Sequence, residues 1–195
     1  MLQEHSLNKQ NPFIRGYYIN TGICDAIVNE ARNPAIKFQP SNDSFRSFTG
    51  TYLEVLKDEI KTPYVISIME CIETYKKEFP FCYEEKNRWI LRSGIKLQHY
   101  NPGDYYKNWH AENVGTEQYI SRHLVFMTYL NDIKDGGGTE FFHQNLQVKP
   151  EKGLTLIWPA DWTHVHRGIV SNTEEKFIIT GWFVFDHTHS YTGQL

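Results

Sequence analysis

The sequence predicts an α+β fold in which a helix-rich N-terminal layer packs on a C-terminal β-sandwich or double-sheet jelly roll. Two observations carry this reading. Residues 1–88 contain stretches with apolar residues at helical spacing. Residues 89–186 contain many short β-rich runs, divided by turn residues at regular intervals. No linker separates the two halves, so residues 1–195 are expected to form one domain.

Taken in order, Phe13 to Ile19 is a short strand candidate. Thr21 can cap a helix that runs through Cys24, Ile27, Val28 and Ala31 and ends before Pro34. Tyr52, Val55, Leu56 and Ile60 are spaced as one helical face. Thr62-Pro63 reads as an N-cap followed by proline at the first helical position. The helix it opens carries Ile66, Met69, Cys71, Ile72 and Tyr75 and stops near Pro80. The β-rich runs are Trp89–Arg92, Ile95–Tyr100, Leu124–Leu130, Thr139–Phe142, Leu154–Trp158 and Phe177–Phe185. Asn101-Pro102-Gly103, Asp135 to Gly138 and Glu151-Lys152-Gly153 supply breaks between them. Phe38 to Phe48 and Tyr105 to Gln118 are aromatic and polar, as segments that close over a substrate would be.

Composition narrows the function classes. Hydrophobic residues make up 40% and aromatics 15%, enough for a substantial core and too much for a disordered chain. A net charge of −3 gives no electrostatic reason to expect nucleic acid or an anionic membrane as a partner. No apolar run approaches the length of a membrane span, and the N-terminus has no apolar core of a secretory signal. Cys24, Cys71 and Cys82 are an odd, widely spaced set without a C-x-x-C pair, which suits a reducing compartment better than a disulfide framework. A soluble cytoplasmic protein is therefore expected. Oligomeric state is not readable.

The residues that bear chemistry are histidines and carboxylates. His110 and Glu112 stand two apart, so on extended backbone their side chains point the same way and could reach one ion. With nine histidines and 23 acidic residues in the chain, about one H-x-[DE] match is expected by chance, so the pair needs a further ligand. His164-Val165-His166 offers two candidates, either of which could equally be a hydrogen-bonded core histidine. His187 and His189 join no usable arrangement. Two imidazoles and one carboxylate leave coordination positions open, the pattern of non-haem Fe(II) oxygenases; a structural zinc site would close all four. Lys176 lies in a strand-like run, where a buried ammonium must find a partner such as the carboxylate of a ligand.

In their order along the chain, these segments resemble the 2-oxoglutarate- and Fe(II)-dependent dioxygenases, in particular the prolyl 4-hydroxylase-like branch. Tyr100 stands ten residues ahead of His110, and His110-Ala111-Glu112 takes the place of that family's H-x-D. Tyr129-Leu130-Asn131 ends a strand, Gly137-Gly138-Thr139-Glu140 resembles a GGxT turn, and Trp158-Pro159 precedes the distal histidine. A basic residue follows ten positions after His166, at Lys176, and the next strand ends at Trp182. The resemblance implies a double-stranded β-helix core. It chooses His166 over His164 as the distal metal ligand, with His110 and Glu112. It also implies that Lys176 pairs with the distal carboxylate of 2-oxoglutarate, and that Tyr100, Tyr129 and Thr180 line the co-substrate pocket. Glu112 departs from the usual aspartate by one methylene.

The implied chemistry is hydroxylation of a C–H bond by Fe(II), 2-oxoglutarate and O2, with release of succinate and CO2. The branch points to a prolyl side chain in a peptide or protein; free amino acids and other small molecules stay open as substrates. Three other readings share parts of the pattern. A zinc deaminase would use H-x-E with glutamate as acid/base, but needs a downstream P-C-x-x-C that the chain lacks. A cupin-like metal protein would use H-x-H, but Ile169, Val170 and Ser171 stand where its glutamate belongs. A non-catalytic binding module could keep the same fold.

Overall fold

The computed structural model describes residues 2–9, 13–84 and 88–186. Among these, a ten-stranded antiparallel sheet is packed by helices on one face and by a three-stranded sheet on the other. The large sheet runs β1 (Gln3–Glu4), β2 (Arg15–Tyr18), β11 (Leu154–Pro159), β8 (Arg122–Tyr129), β13 (Lys176–Phe185), β6 (Lys96–Tyr100), β4 (Arg46–Tyr52) and β3 (Gln39–Asn42). Also in it, β5 (Trp89–Leu91) pairs with β13, and β7 (Tyr105–Tyr106) with β4. The small sheet runs β10 (Leu146–Val148), β9 (Thr139–Phe141) and β12 (His166–Gly168). This is the predicted α+β class, with the jelly roll as a double-stranded β-helix.

Period-2 alternation explains why the large sheet can be buried on both faces. In β8, Leu124 and Phe126 face the helices, while Val125, Met127 and Tyr129 face the small sheet. In β13, Phe177 and Ile179 take the helical side, and Ile178 and Trp182 the inter-sheet side. The same alternation sends Lys176 and Thr180 inward with Ile178.

Two helices form the outer layer, α1 (Thr21–Ala31) and α2 (Asp58–Glu78). A buried hydroxyl chain ties α2 to the sheet: Tyr64 Oη lies 2.8 Å from Thr128 Oγ1, which lies 2.8 Å from Thr155 Oγ1. Each hydroxyl thereby finds a partner away from water.

Several sequence expectations need correction here. Asn20, not Thr21, caps α1, its side chain accepting from the Gly22 N–H at 2.8 Å. Tyr52 to Ile60 is not one helical face: Tyr52 ends a strand, Leu53–Val55 is a 3-10 turn, and Leu53 and Leu56 point inward while Tyr52 and Val55 are exposed. The second helix begins at Asp58, before Pro63, which lies inside it. Tyr64, Ile68, Cys71, Ile72 and Tyr75 form its buried stripe, whereas Ile66 and Met69 are exposed. The tyrosine hydroxyl that anchors to Thr128 sets that phase, and apolar spacing alone did not reveal it. Gln39–Asn42 and Arg46–Tyr52 form a hairpin at the edge of the sheet, and Tyr105–Tyr106 pairs against it. These segments are therefore β-structure beside the cavity described next.

Candidate active site

His110 and His166 are brought together by backbone. Each donates its N–H to the other's carbonyl, at 3.0 and 2.9 Å, a hydrogen-bonded antiparallel pair that extends the small sheet beyond β12. Directly opposite residues of such a pair project from one face, so the imidazole centroids lie 4.4 Å apart. Glu112 is fixed by its own N–H and that of Asn113, which both donate to the Ala160 carbonyl at the end of β11. One ligand atom from each of His110, Glu112 and His166 falls within 4.8 Å of the other two.

Hydrogen bonds choose which atoms face the centre. His110 Nδ1 lies 2.9 Å from the Asn108 carbonyl and His166 Nδ1 3.0 Å from the His164 carbonyl. Both Nδ1 atoms thus carry the proton, and both Nε2 atoms point at Glu112 Oε1, at 3.7 and 3.8 Å. The second carboxylate oxygen, Oε2, accepts from Arg122 Nη1 at 2.6 Å and from Trp182 Nε1 at 3.1 Å. The Arg122 guanidinium lies 3.8 Å from the Trp182 ring centroid. This clamp accommodates the extra methylene of glutamate: one oxygen is held against the wall and the other is left for the centre.

Electrostatics agree with a cation at that centre. Burial works against ionisation of Glu112, yet His110, His166 and Arg122 hold its carboxyl down at about 2. The 3.7 Å His110 contact is too long for a hydrogen bond, and the 2.6 Å contact from Arg122 is the shorter of the two. Burial, then the neighbouring His110, push His166 down to about 4. At neutral pH it is the uncharged base that a metal needs.

The cavity contains about 560 Å³ of empty space, its mouth included, and is lined by all three groups together with Tyr100, Tyr129, Lys176 and Thr180. Trp158 walls it beside His166, with Phe141 packed behind; their ring centroids lie 5.0 and 5.7 Å from the imidazole. Lys176 is 7% exposed. Its ammonium donates to the Gly137 carbonyl at 3.2 Å and lies 4.3 Å from the Tyr100 ring centroid. Among the described residues no carboxylate lies within ion-pair distance of it, and burial pushes it down to about 8. A buried ammonium without a counter-anion fits the carboxylate of a bound ligand, and the imidazole and carboxylate donor set fits a ferrous ion with open positions.

The remaining predicted lining groups are committed elsewhere by their polar atoms. Tyr100 Oη donates to Gln98 Oε1 at 2.7 Å, Tyr129 Oη lies 2.7 Å from Thr139 Oγ1, and Thr180 Oγ1 donates to the Phe126 carbonyl at 3.2 Å. His164 sits in the 3-10 turn Trp162–His164, with Nδ1 on Thr163 Oγ1 at 2.9 Å, outside the converging group. His187 and His189 lie outside the described residues. Sequence reasoning missed Arg122, Gln98, Tyr106 and Arg167. Arg122 opens β8, where a register shift against β13 at Phe183/Val184 breaks the alternation and lets Arg122 reach Glu112, but a charge at a strand start ordinarily reads as a solvated edge.

The double-stranded β-helix and the converging imidazole–carboxylate site define a class, the non-haem oxygenases of the jelly-roll type. Residues 95–184 match the model of the 2OG-Fe(II) oxygenase superfamily, a family that implies Fe(II), 2-oxoglutarate and O2. No curated protein shows significant sequence similarity to the chain. Among solved structures, the fold is similar to a viral collagen prolyl hydroxylase of Paramecium Bursaria Chlorella virus-1 in its 2OG complex. The TM-score is 0.67 and the identity 17%, over 89% of this chain and 96% of that one. It is likewise similar to a Pseudomonas putida prolyl-4-hydroxylase, with TM-score 0.67 and 17% identity over 91% and 94% of the chains. A prolyl hydroxylase from Trichoplax adhaerens, in complex with a hypoxia inducible factor oxygen degradation domain peptide fragment, gives TM-score 0.66 and 15% identity over 96% and 90%. At these identities the likeness is one of fold.

Proposed function

We propose that the protein hydroxylates a C–H bond of a peptidyl substrate, with a prolyl side chain as the first class to test. His110, Glu112 and His166 would hold Fe(II), and Lys176 would hold the distal carboxylate of 2-oxoglutarate. When bound, these groups and O2 supply the oxidant, with succinate and CO2 released. The chain's own residues do the positioning. The Nδ1 bonds fix both imidazoles in one tautomer. Arg122 and Trp182 keep Glu112 turned. Lys176 supplies a charge-assisted pair in a site walled by Trp158, Met127 and Ile178.

The observation that carries this reading is the unmatched Lys176 ammonium in the same cavity as the three converging ligand atoms. The prolyl assignment is supported by the structural neighbours, which are prolyl hydroxylases over nearly their whole length. No helix among the described residues is long and apolar enough to cross a membrane. We place the protein in the cytoplasm, since Cys24, Cys71 and Cys82 are all free thiols.

The test is succinate release with Fe(II), 2-oxoglutarate and a panel of proline-containing peptides and free amino acids. His166→Ala should abolish turnover and His164→Ala should not. Equal loss in both would defeat the ligand assignment, and absence of succinate with every substrate, even in uncoupled turnover, would defeat the activity.

A further inference from the structure

Two cavities meet at Gln98, which lines both. One is the site above. The other is an open groove over the face of β6, β4 and β3, lined by Pro40, Arg46, Tyr52 and Lys96 among others. Across both linings, Glu112 is the one carboxylate among the described residues, against the cations Arg46, Lys96, Arg167 and Lys176. Two of these cations are neutralised from outside: Arg46 by Asp43 at 3.0 Å and Arg167 by Glu140 at 2.7 Å. Lys176 belongs to the co-substrate end. Lys96 has no carboxylate within ion-pair distance among the described residues. Its ammonium lies 5.5 Å from the Trp182 ring centroid, a contact that leaves its charge uncompensated.

Strand register separates the two lysines. Lys176 pairs with Tyr100 and Thr180 with Lys96, so they lie at opposite ends of the β13–β6 ladder. Four residues of strand amount to about 13 Å, further than a five-carbon diacid reaches. Glu112 lies at the Lys96 end, since its Oε2 and the Arg122 guanidinium both contact Trp182. The loaded site then has a charge left over. The distal carboxylate of 2-oxoglutarate pairs with Lys176 and Glu112 pairs with Arg122, so Lys96 is left without an anion. A partly buried ammonium that lacks an anion is costly. Burial already pushes Lys96 down, and Arg122 and Arg46 add to this against the opposing pull of Glu112.

We propose that Lys96 anchors the substrate: the groove takes an acidic peptide, whose aspartate or glutamate carboxylate pairs with Lys96 while a nearby residue enters the oxygenase cavity. The inference rests on the oxygenase reading of the site. The probe is a set of N-acetylated, C-amidated peptides with a central proline, a single glutamate moved through the other positions, and glutamine isosteres of each. Binding is measured by calorimetry on protein loaded with Mn(II) and 2-oxoglutarate under nitrogen. At least one glutamate peptide should bind about tenfold tighter than its isostere, the scale of one charge-assisted pair. Lys96→Met should erase the difference and Lys96→Arg should keep it. Isosteres that bind equally well, or a preference that survives Lys96→Met, would overturn the proposal. No peptide binding, with Mn(II) and 2-oxoglutarate bound normally, would also overturn it and leave the oxygenase reading intact. Failure of the unaltered protein to bind Mn(II) and 2-oxoglutarate would overturn both.

Discussion

Replacing Lys176 with methionine should make the unliganded protein more stable while removing its grip on 2-oxoglutarate. The buried ammonium falls from an ordinary 10.5 to about 8. Taken at about 1.4 kcal/mol per tenfold change in proton affinity, that gap costs the folded protein about 3 kcal/mol when the lysine is protonated in both states. The hydrogen bond to Gly137 and the Tyr100 contact are lost on substitution, each worth about 1 kcal/mol or less. A net gain of about 1–2 kcal/mol at pH 7 follows. The sign fixes the pH dependence. Between about 8 and 10.5 the unfolded chain binds the proton and the folded protein does not, so stability rises with pH through that window and the penalty is fully present below it. Urea unfolding of both proteins from pH 7 to pH 10 measures this. The unaltered protein should gain stability over the window and the variant should show a flatter profile there. Added to Mn(II)-loaded protein, 2-oxoglutarate should raise the Tm further in the unaltered protein alone. A Lys176→Met protein less stable than its parent at pH 7, or one with the same pH slope, would refute the account of Lys176 as an ammonium buried without an anion.

Two other substitutions probe the supporting structure. Arg122→Met leaves Glu112 Oε2 with Trp182 as its partner; Mn(II) affinity should fall about 10- to 100-fold, read by electron paramagnetic resonance titration, and undiminished affinity would dismiss the clamp. Gly138→Ala places a Cβ 2.3 Å from the Val148 carbonyl oxygen, a clash with backbone that should cost more than about 2 kcal/mol; a Tm within a degree of the parent would show that the β9–β10 hairpin yields freely.

What the sequence disclosed follows from the strength of its local signals. β8 and β13 are long, nearly continuous apolar runs, so they stood out as strands, although a run apolar on both faces does not tell which side each residue takes. The hairpin Gln39–Asn42 with Arg46–Tyr52 did not, because its strands are polar and lie at a sheet edge where little is buried. The start of α2 was misread because Thr62-Pro63 is a strong local start signal, which the helix overrides by beginning at Asp58. The residues brought together at the site, His110, Glu112 and His166, were visible through spacing and resemblance. Their second partners were not: Arg122 meets Glu112 through a loop reversal, Trp182 reaches it from β13, and Lys96 and Gln98 join the cavities through strand register. Such neighbours depend on how strands align, which no local window of sequence records.

The position of β13 bears on how the polypeptide can mature. It is made after β8 and β6, yet it is inserted between them. Until it emerges during translation, the sheet is two separate flaps, one built on β2, β11 and β8 and the other on β6, β4 and β3. Helix α2 is synthesised before either β8 or β11, so its apolar stripe waits for a seat. A ribosome stalled short of Lys176 would therefore display open strand edges and uncovered helix faces together, a nascent species suited to capture by holdase chaperones. Iron loading, which needs the same seam to close, is by this order a late event in the life of the chain.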